Sequence, residues 1–182
     1  MRFERLPGLP PYGPLARAFG GPQYREGLVV RFWTTGGETW VGNFHGGHGR
    51  AEGVVDHPDN RRVVVLASGQ GYVVDPEAPN DVSIFAFGIH EFFALPEFNA
   101  ILFVDDVELE TINKEGRWWR TSRISWDGIR HIKIEGANLY GEAFTPVGEI
   151  WVPFTVDLRT GECAGSAYEA DMRGAIPVVV RR

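Results

Sequence analysis

Residues 126–168 hold four short apolar stretches separated by tight turns, and that rhythm constrains the fold more than anything else in the chain. The stretches are Ile129-Arg130-His131-Ile132-Lys133-Ile134, Asn138-Leu139-Tyr140-Gly141-Glu142-Ala143-Phe144, Ile150-Trp151-Val152-Pro153-Phe154-Thr155-Val156, and residues 162–168. Between them lie Glu135-Gly136-Ala137, Thr145-Pro146-Val147-Gly148 and Asp157-Leu158-Arg159-Thr160-Gly161. Each of these carries the Gly, Pro, Asp or Thr that a tight reversal uses. Strands this short, joined this closely, can only run antiparallel, so the sequence predicts a meander in a mainly β protein.

The same grammar extends upstream. Gly27-Leu28-Val29-Val30-Arg31-Phe32-Trp33 and Glu38-Thr39-Trp40-Val41-Gly42-Asn43-Phe44 flank Gly36-Gly37, a hairpin signal. Further apolar segments lie at 62–66, 71–75, 82–90, 100–104, 107–112 and 118–124. The expectation is one mainly β domain over residues 25–182, with meanders near 27–77, 82–125 and 126–168 in a sandwich-like or propeller-like arrangement. More than a third of the chain should be strand. Pro7, Pro10, Pro11, Pro14 and Pro22 set residues 1–24 apart as a proline-rich arm, because proline cannot donate to a ladder. Within it, Leu15-Ala16-Arg17-Ala18-Phe19 reads as a short helix entered through Pro14 and stopped by Gly20-Gly21.

Charge and length exclude several functions. Acidic residues outnumber basic ones, 24 against 18, for a formal charge of -6. Nucleic acid is therefore not an expected partner, since binding it requires a cationic surface that displaces phosphate counterions. A basic protein is the better electrostatic match. The longest apolar runs fall far short of the roughly 20 residues of a membrane span. The first residues lack the apolar core of a secretory signal, and Cys163 is the single cysteine, so a cytoplasmic protein without disulfides or cofactor is expected.

The segment Trp119-Arg120-Thr121-Ser122-Arg123-Ile124-Ser125-Trp126-Asp127-Gly128-Ile129, with Trp151-Val152-Pro153-Phe154 and Asp157-Leu158-Arg159-Thr160-Gly161, resembles a family of uncharacterised bacterial β-rich proteins. The resemblance covers the C-terminal third. It implies a similar fold and brings no assigned activity and no catalytic residue.

Three constellations carry candidate chemistry. Phe44-His45-Gly46-Gly47-His48-Gly49 precedes Asp56-His57, so a sharply bent loop would gather His45, His48 and His57 around a zinc-type ion; a solvated glycine-rich loop is the plainer reading, and no metal is expected. Alternation along Val107-Glu108-Leu109-Glu110 puts Glu108 and Glu110 on one face, about 7 Å apart, a spacing that glycoside hydrolysis uses. A half-buried strand with two solvated glutamates has the same pattern. Finally, Trp118 and Trp119 are adjacent, so a strand sends their rings to opposite faces, with Arg120 and Arg123 nearby. Exposed Trp and Arg dominate protein–protein hot spots, which makes these four the expected binding residues.

The functional expectation is a non-enzymatic bacterial interaction protein of immunity-like type. A small hydrolase, metal-dependent through His45, His48 and His57 or carbohydrate-active through Glu108 and Glu110, is the alternative.

Overall fold

Short strands with their partners close in sequence build most of the described chain. A computed structural model describes residues 2–168, and among them strands account for 49%. They comprise sixteen strands and one 3-10 turn, Pro96–Phe98. The mainly β expectation is met. The strands form four sheets of four, and the chain divides into two compact units between Glu91 and Phe92.

The first unit opens with β1 (Phe3–Arg5), β2 (Arg17–Phe19), β3 (Leu28–Trp33) and β4 (Thr39–Phe44), in spatial order β1-β3-β4-β2. β3 and β4 are the hairpin read from Gly36-Gly37, with Phe32 opposite Trp40 and Val30 opposite Gly42. β2 runs parallel to β4. The second sheet is a plain meander of β5 (Gly53–Asp56), β6 (Val63–Ala67), β7 (Gln70–Val74) and β8 (Val82–Ala86). Alternate residues of these strands, Val30 and Phe32 from one sheet and Val63, Val65, Tyr72 and Val74 from the other, share one core with Trp40 and Phe44. The Phe32 and Trp40 rings stack at 4.4 Å, and the Trp40 indole N–H donates to the Pro76 carbonyl at 2.9 Å, so the ring is buried with its one polar atom satisfied.

The second unit repeats the plan. β9 (Glu91–Leu95), β10 (Ala100–Val104), β11 (Leu109–Asn113) and β12 (Gly116–Arg120) form one meander. β13 (Ile129–Glu135), β14 (Asn138–Thr145), β15 (Ile150–Asp157) and β16 (Cys163–Ala164) form the other. The alternation in β14 is plain, with Leu139 and Ala143 facing a core that also takes Leu102, Leu109, Trp119, Phe154 and Val156. The turn after β15 works as its residues dictate. The Asp157 carboxylate accepts the Arg159 N–H at 2.8 Å, and Gly161 closes the turn at φ +76°. A Cβ at Gly161 would lie 2.8 Å from the Trp119 indole, so this glycine answers both to its own backbone and to a ring from another sheet.

Three expectations change. Leu15–Phe19 is not helical: Arg17–Phe19 is a strand, and Phe19 stacks on Phe44 at 5.1 Å. A few residues of helix cannot repay their nucleation cost, whereas pairing with β4 supplies backbone hydrogen bonds and a buried ring contact together. The proline-rich arm also contributes to a sheet at both ends, through β1 and β2, both on edges where missing donors are tolerated. Residues 82–86 pair with β7 rather than opening a second meander, so the three expected groups are four sheets.

Trp119 is 8% exposed and its indole N–H donates to the Leu158 carbonyl at 2.9 Å. Trp118 is partly buried beside Phe98, ring centroids 6.1 Å apart. Trp119→Ala should cost about 3–5 kcal/mol, the range for a packed aromatic, and Trp118→Ala clearly less. Chemical denaturation of the two single variants checks the order; equal losses would show that both rings are core.

Candidate functional site

The sequence-derived candidates separate in the structure. Trp119 is core, which removes it from any contact surface. Arg120 pairs with Glu108, and Arg123 donates to the carbonyls of Ser125 and Trp126 at 2.9 and 2.8 Å while lying 5.4 Å from the Trp126 ring. The expected cluster of Trp118, Trp119, Arg120 and Arg123 is thus one core ring, one half-buried ring and two arginines engaged locally. The pair Glu108 and Glu110 is also committed. Glu110 is 8% exposed rather than solvated, and accepts from Arg117 at 2.7 Å. Both carboxylates are ion-paired supports of the β11–β12 edge, not an open acid–base pair.

The three histidines do not converge. Among the described residues no group of three or more His, Cys, Asp or Glu is placed to hold a metal ion. His48 is exposed and packs edge-on against Phe87 at 4.8 Å. His57 is buried at the start of the 57–62 turn, where its Nδ1 lies 3.2 Å from the Asp59 backbone nitrogen and 3.1 Å from the Asp59 carboxylate. Its Nε2 has no hydrogen-bond partner. Burial therefore holds the His57 pKa below 6.5, outweighing the pull of Asp59 in the other direction. Burial works against ionisation of Asp59 as well, but the N–H groups of Arg61 and Arg62, the Arg62 guanidinium and His57 together drive its pKa well below the usual carboxylate range.

His45 stands elsewhere, on the wall of a cavity of about 310 Å³ in the first unit, with Arg5, Arg25, Glu26, Glu52 and Ser68. The wall is positioned from underneath. Tyr72, fully buried, donates its hydroxyl to the His45 carbonyl at 2.6 Å, and burial pushes that phenol up to about 12, so it stays a donor. The Cγ, Cδ2 and Nδ1 side of the imidazole lies on Gly21, where a Cβ would meet the ring at 2.6 Å. His45 is 5% exposed, and its Nε2 has no hydrogen-bond partner. Asn43, 1% exposed on β4, accepts the Gly27 N–H and donates to the Arg25 carbonyl, both at 2.8 Å, which clamps the backbone carrying Arg25 and Glu26. Glu26 accepts the Leu9 N–H through one oxygen at 3.0 Å, and Arg5 pairs with Glu52. The sequence pattern singles out His45 but not its surroundings, because residues 5, 25 and 52 are far apart along the chain and meet only through tertiary pairing.

A second feature leaves the same wall. The chain between β1 and β2 must pass from one edge of a four-stranded sheet to the other, about 14 Å at three strand spacings. The eleven intervening residues could reach on the order of 40 Å when extended, so the surplus loops outward. Proline keeps that loop out of the ladder. Two of its large apolar side chains stay in solvent, Tyr12 at 90% exposed and Leu15 at 84%, while Leu6 and Leu9 are half-buried; Tyr24 beyond β2 is 91% exposed. The signal was present in Pro10-Pro11-Tyr12-Gly13-Pro14-Leu15, where apolar residues sit among residues that no sheet or helix can absorb.

In comparisons with known proteins, no family model and no curated sequence matches the chain. No helix among the described residues is long and apolar enough to cross a membrane.

Because the folded His57 pKa lies below its unfolded value, the unfolded chain takes up the proton first as pH falls. Stability contributed by neutral His57 is complete above about pH 6.5 and declines below it, toward the lowered folded pKa. Urea melts at steps between about pH 7 and pH 5 should show this decline, and His57→Gln should flatten it. An unchanged slope in the variant would place the titration elsewhere.

Proposed function

We propose that this is a non-enzymatic binding protein of the bacterial cytoplasm, immunity-like in kind, whose partner is a basic protein seated on residues 9–24. One observation carries the reading: Tyr12, Leu15 and Tyr24 are the three most exposed large hydrophobic side chains among the described residues, and all lie within this one segment. Clustered exposed apolar groups mark interaction surfaces, and tyrosine is among the residues that dominate such contacts. Proline lowers the entropy lost when such a segment is ordered against a partner. A formal charge of -6 favours a cationic partner through steering of the encounter. The bacterial assignment rests on the resemblance in the C-terminal third, and the immunity-like assignment on analogy with small acidic bacterial proteins.

On this reading the contact residues lie on the arm rather than around Trp118. Surface substitutions away from caps and cores change stability by no more than about 0.5 kcal/mol, so the double variant Tyr12→Ala/Tyr24→Ala should melt like the parent. A partner captured by the parent should have a high isoelectric point, bind the double variant at least about tenfold more weakly, and associate more slowly as salt is raised. Trp118→Ala should retain that partner. Equal binding by the Tyr12/Tyr24 variant, or a partner that is itself acidic, would refute the proposal.

A further inference from the structure

Edge strands present unpaired N–H and C=O groups, and folded chains blunt them with charge, proline or close cover. Of the eight edge strands among the described residues, only β8 and the two-residue β16 carry no charged side chain. β8, Val82-Ser83-Ile84-Phe85-Ala86, has no proline either. Its apolar groups are also left partly in water. Val82 stands opposite Val74 and Ile84 opposite Tyr72, so both lie on the face that carries the core of the first unit. Val82 packs against that core, whereas Ile84 is 53% exposed at its rim.

The hydrogen-bond pattern shows which backbone groups the edge offers. The Asp75 N–H donates to the Asp81 carbonyl at 3.4 Å, so these two form a hydrogen-bonded pair at the start of the β7–β8 ladder. Bonded and non-bonded pairs alternate along antiparallel strands, which turns the N–H and C=O of Val82 and Ile84 away from β7. Among the described residues these outward groups meet no partner. The register then steps from Ile84 to Ala86, a bulge that leaves Val82–Ile84 as the regular stretch of free edge.

We infer that two copies of this chain pair through β8, antiparallel about a twofold axis at Ser83. In that register Val82 of each copy faces Ile84 of the other, so the outward groups of both residues are satisfied at once, and the two Ile84 side chains extend the apolar rim across the junction. Charge favours a second copy as the occupant. Each copy carries a formal charge of -6, so self-contact requires a strand free of acidic side chains, and an uncharged strand gives a basic protein nothing to pair with. The nearest charge is Asp81, and the two Asp81 residues would stand four residue rises apart, about 14 Å, beyond the Debye length of about 8 Å at physiological salt. A β1 pair, by contrast, would set Glu4 against itself. The five residues of β8 are few beside the about 20–30 per side of a stable interface, so the dimer is a weak one. It is separate from the exposed arm proposed as the protein-binding segment, and neither reading depends on the other.

Sedimentation of the full chain from about 10 μM to about 1 mM tests the inference, a range suited to a weak contact. The weight-average mass should rise from the 20.3 kDa of one chain toward that of two. Ser83→Lys and Ser83→Asp each set like charges face to face at the axis, and each should raise the dissociation constant at least about tenfold. Ser83 is exposed, so both variants should melt like the parent at low concentration. Mixing the two variants in equal amounts should restore the dimer, because lysine then faces aspartate, an outcome that a general disturbance of the strand would not give. Tyr12→Ala/Tyr24→Ala should associate as the parent does. A parent that stays monomeric at about 1 mM would overturn the inference. So would a dimer unchanged by both Ser83 variants, a mixture no more associated than either variant alone, or loss of the dimer in the arm variant.

Discussion

The pairing of β1 and β2 with opposite edges of the β3–β4 hairpin is the constraint on which the functional features rest. Among the described residues, fourteen of the sixteen strands find a partner one turn away along the chain, and three of the four sheets are ordinary meanders. β1 and β2 pair instead across longer loops, with Phe3 opposite Phe32 and Phe19 beside Phe44. Closing such a loop costs entropy that only the ring contacts and ladder bonds repay. The consequences are local: Arg5 arrives beside Glu52, Leu9 beside Glu26, and the surplus chain is forced outward with Tyr12 and Leu15 exposed.

Backbone without Cβ atoms is what lets large rings close the cores. Gly141 on β14 lies opposite Phe154, whose ring would be 2.7 Å from any added Cβ, and the Trp119–Gly161 and His45–Gly21 contacts work the same way. A glycine in a strand gives up side-chain packing of its own, and here a ring from a neighbouring strand or loop takes that place. Aromatic content that suggested a recognition surface is in large part consumed in this way. Trp40, Trp119, Phe32, Phe44 and Phe154 are all buried.

Polar groups divide along a similar line. Glu108, Glu110 and Asp59 serve as anchors for arginines and turn backbone, so their chemistry is already used. His57 is likewise held in a buried turn against Asp59. Arg25 and Glu26, by contrast, are exposed beside the cavity whose wall His45 also forms.

Local pattern alone determined the strands and their turns. Alternating apolar residues and Gly, Asp or Pro at the reversals act over a few residues, so the β3–β4 hairpin and the β13–β15 meander are legible in the sequence itself. Tertiary structure decided which aromatic rings went inside, that residues 17–19 became a strand, that β8 joined β7, and that His45 shares a cavity wall with Arg25 and Glu26 rather than a metal site with His48 and His57. Those outcomes depend on pairings between residues tens of positions apart. Spacing along the chain carries no record of them, because register and side-chain neighbours across sheets are settled only when loops close and cores fill.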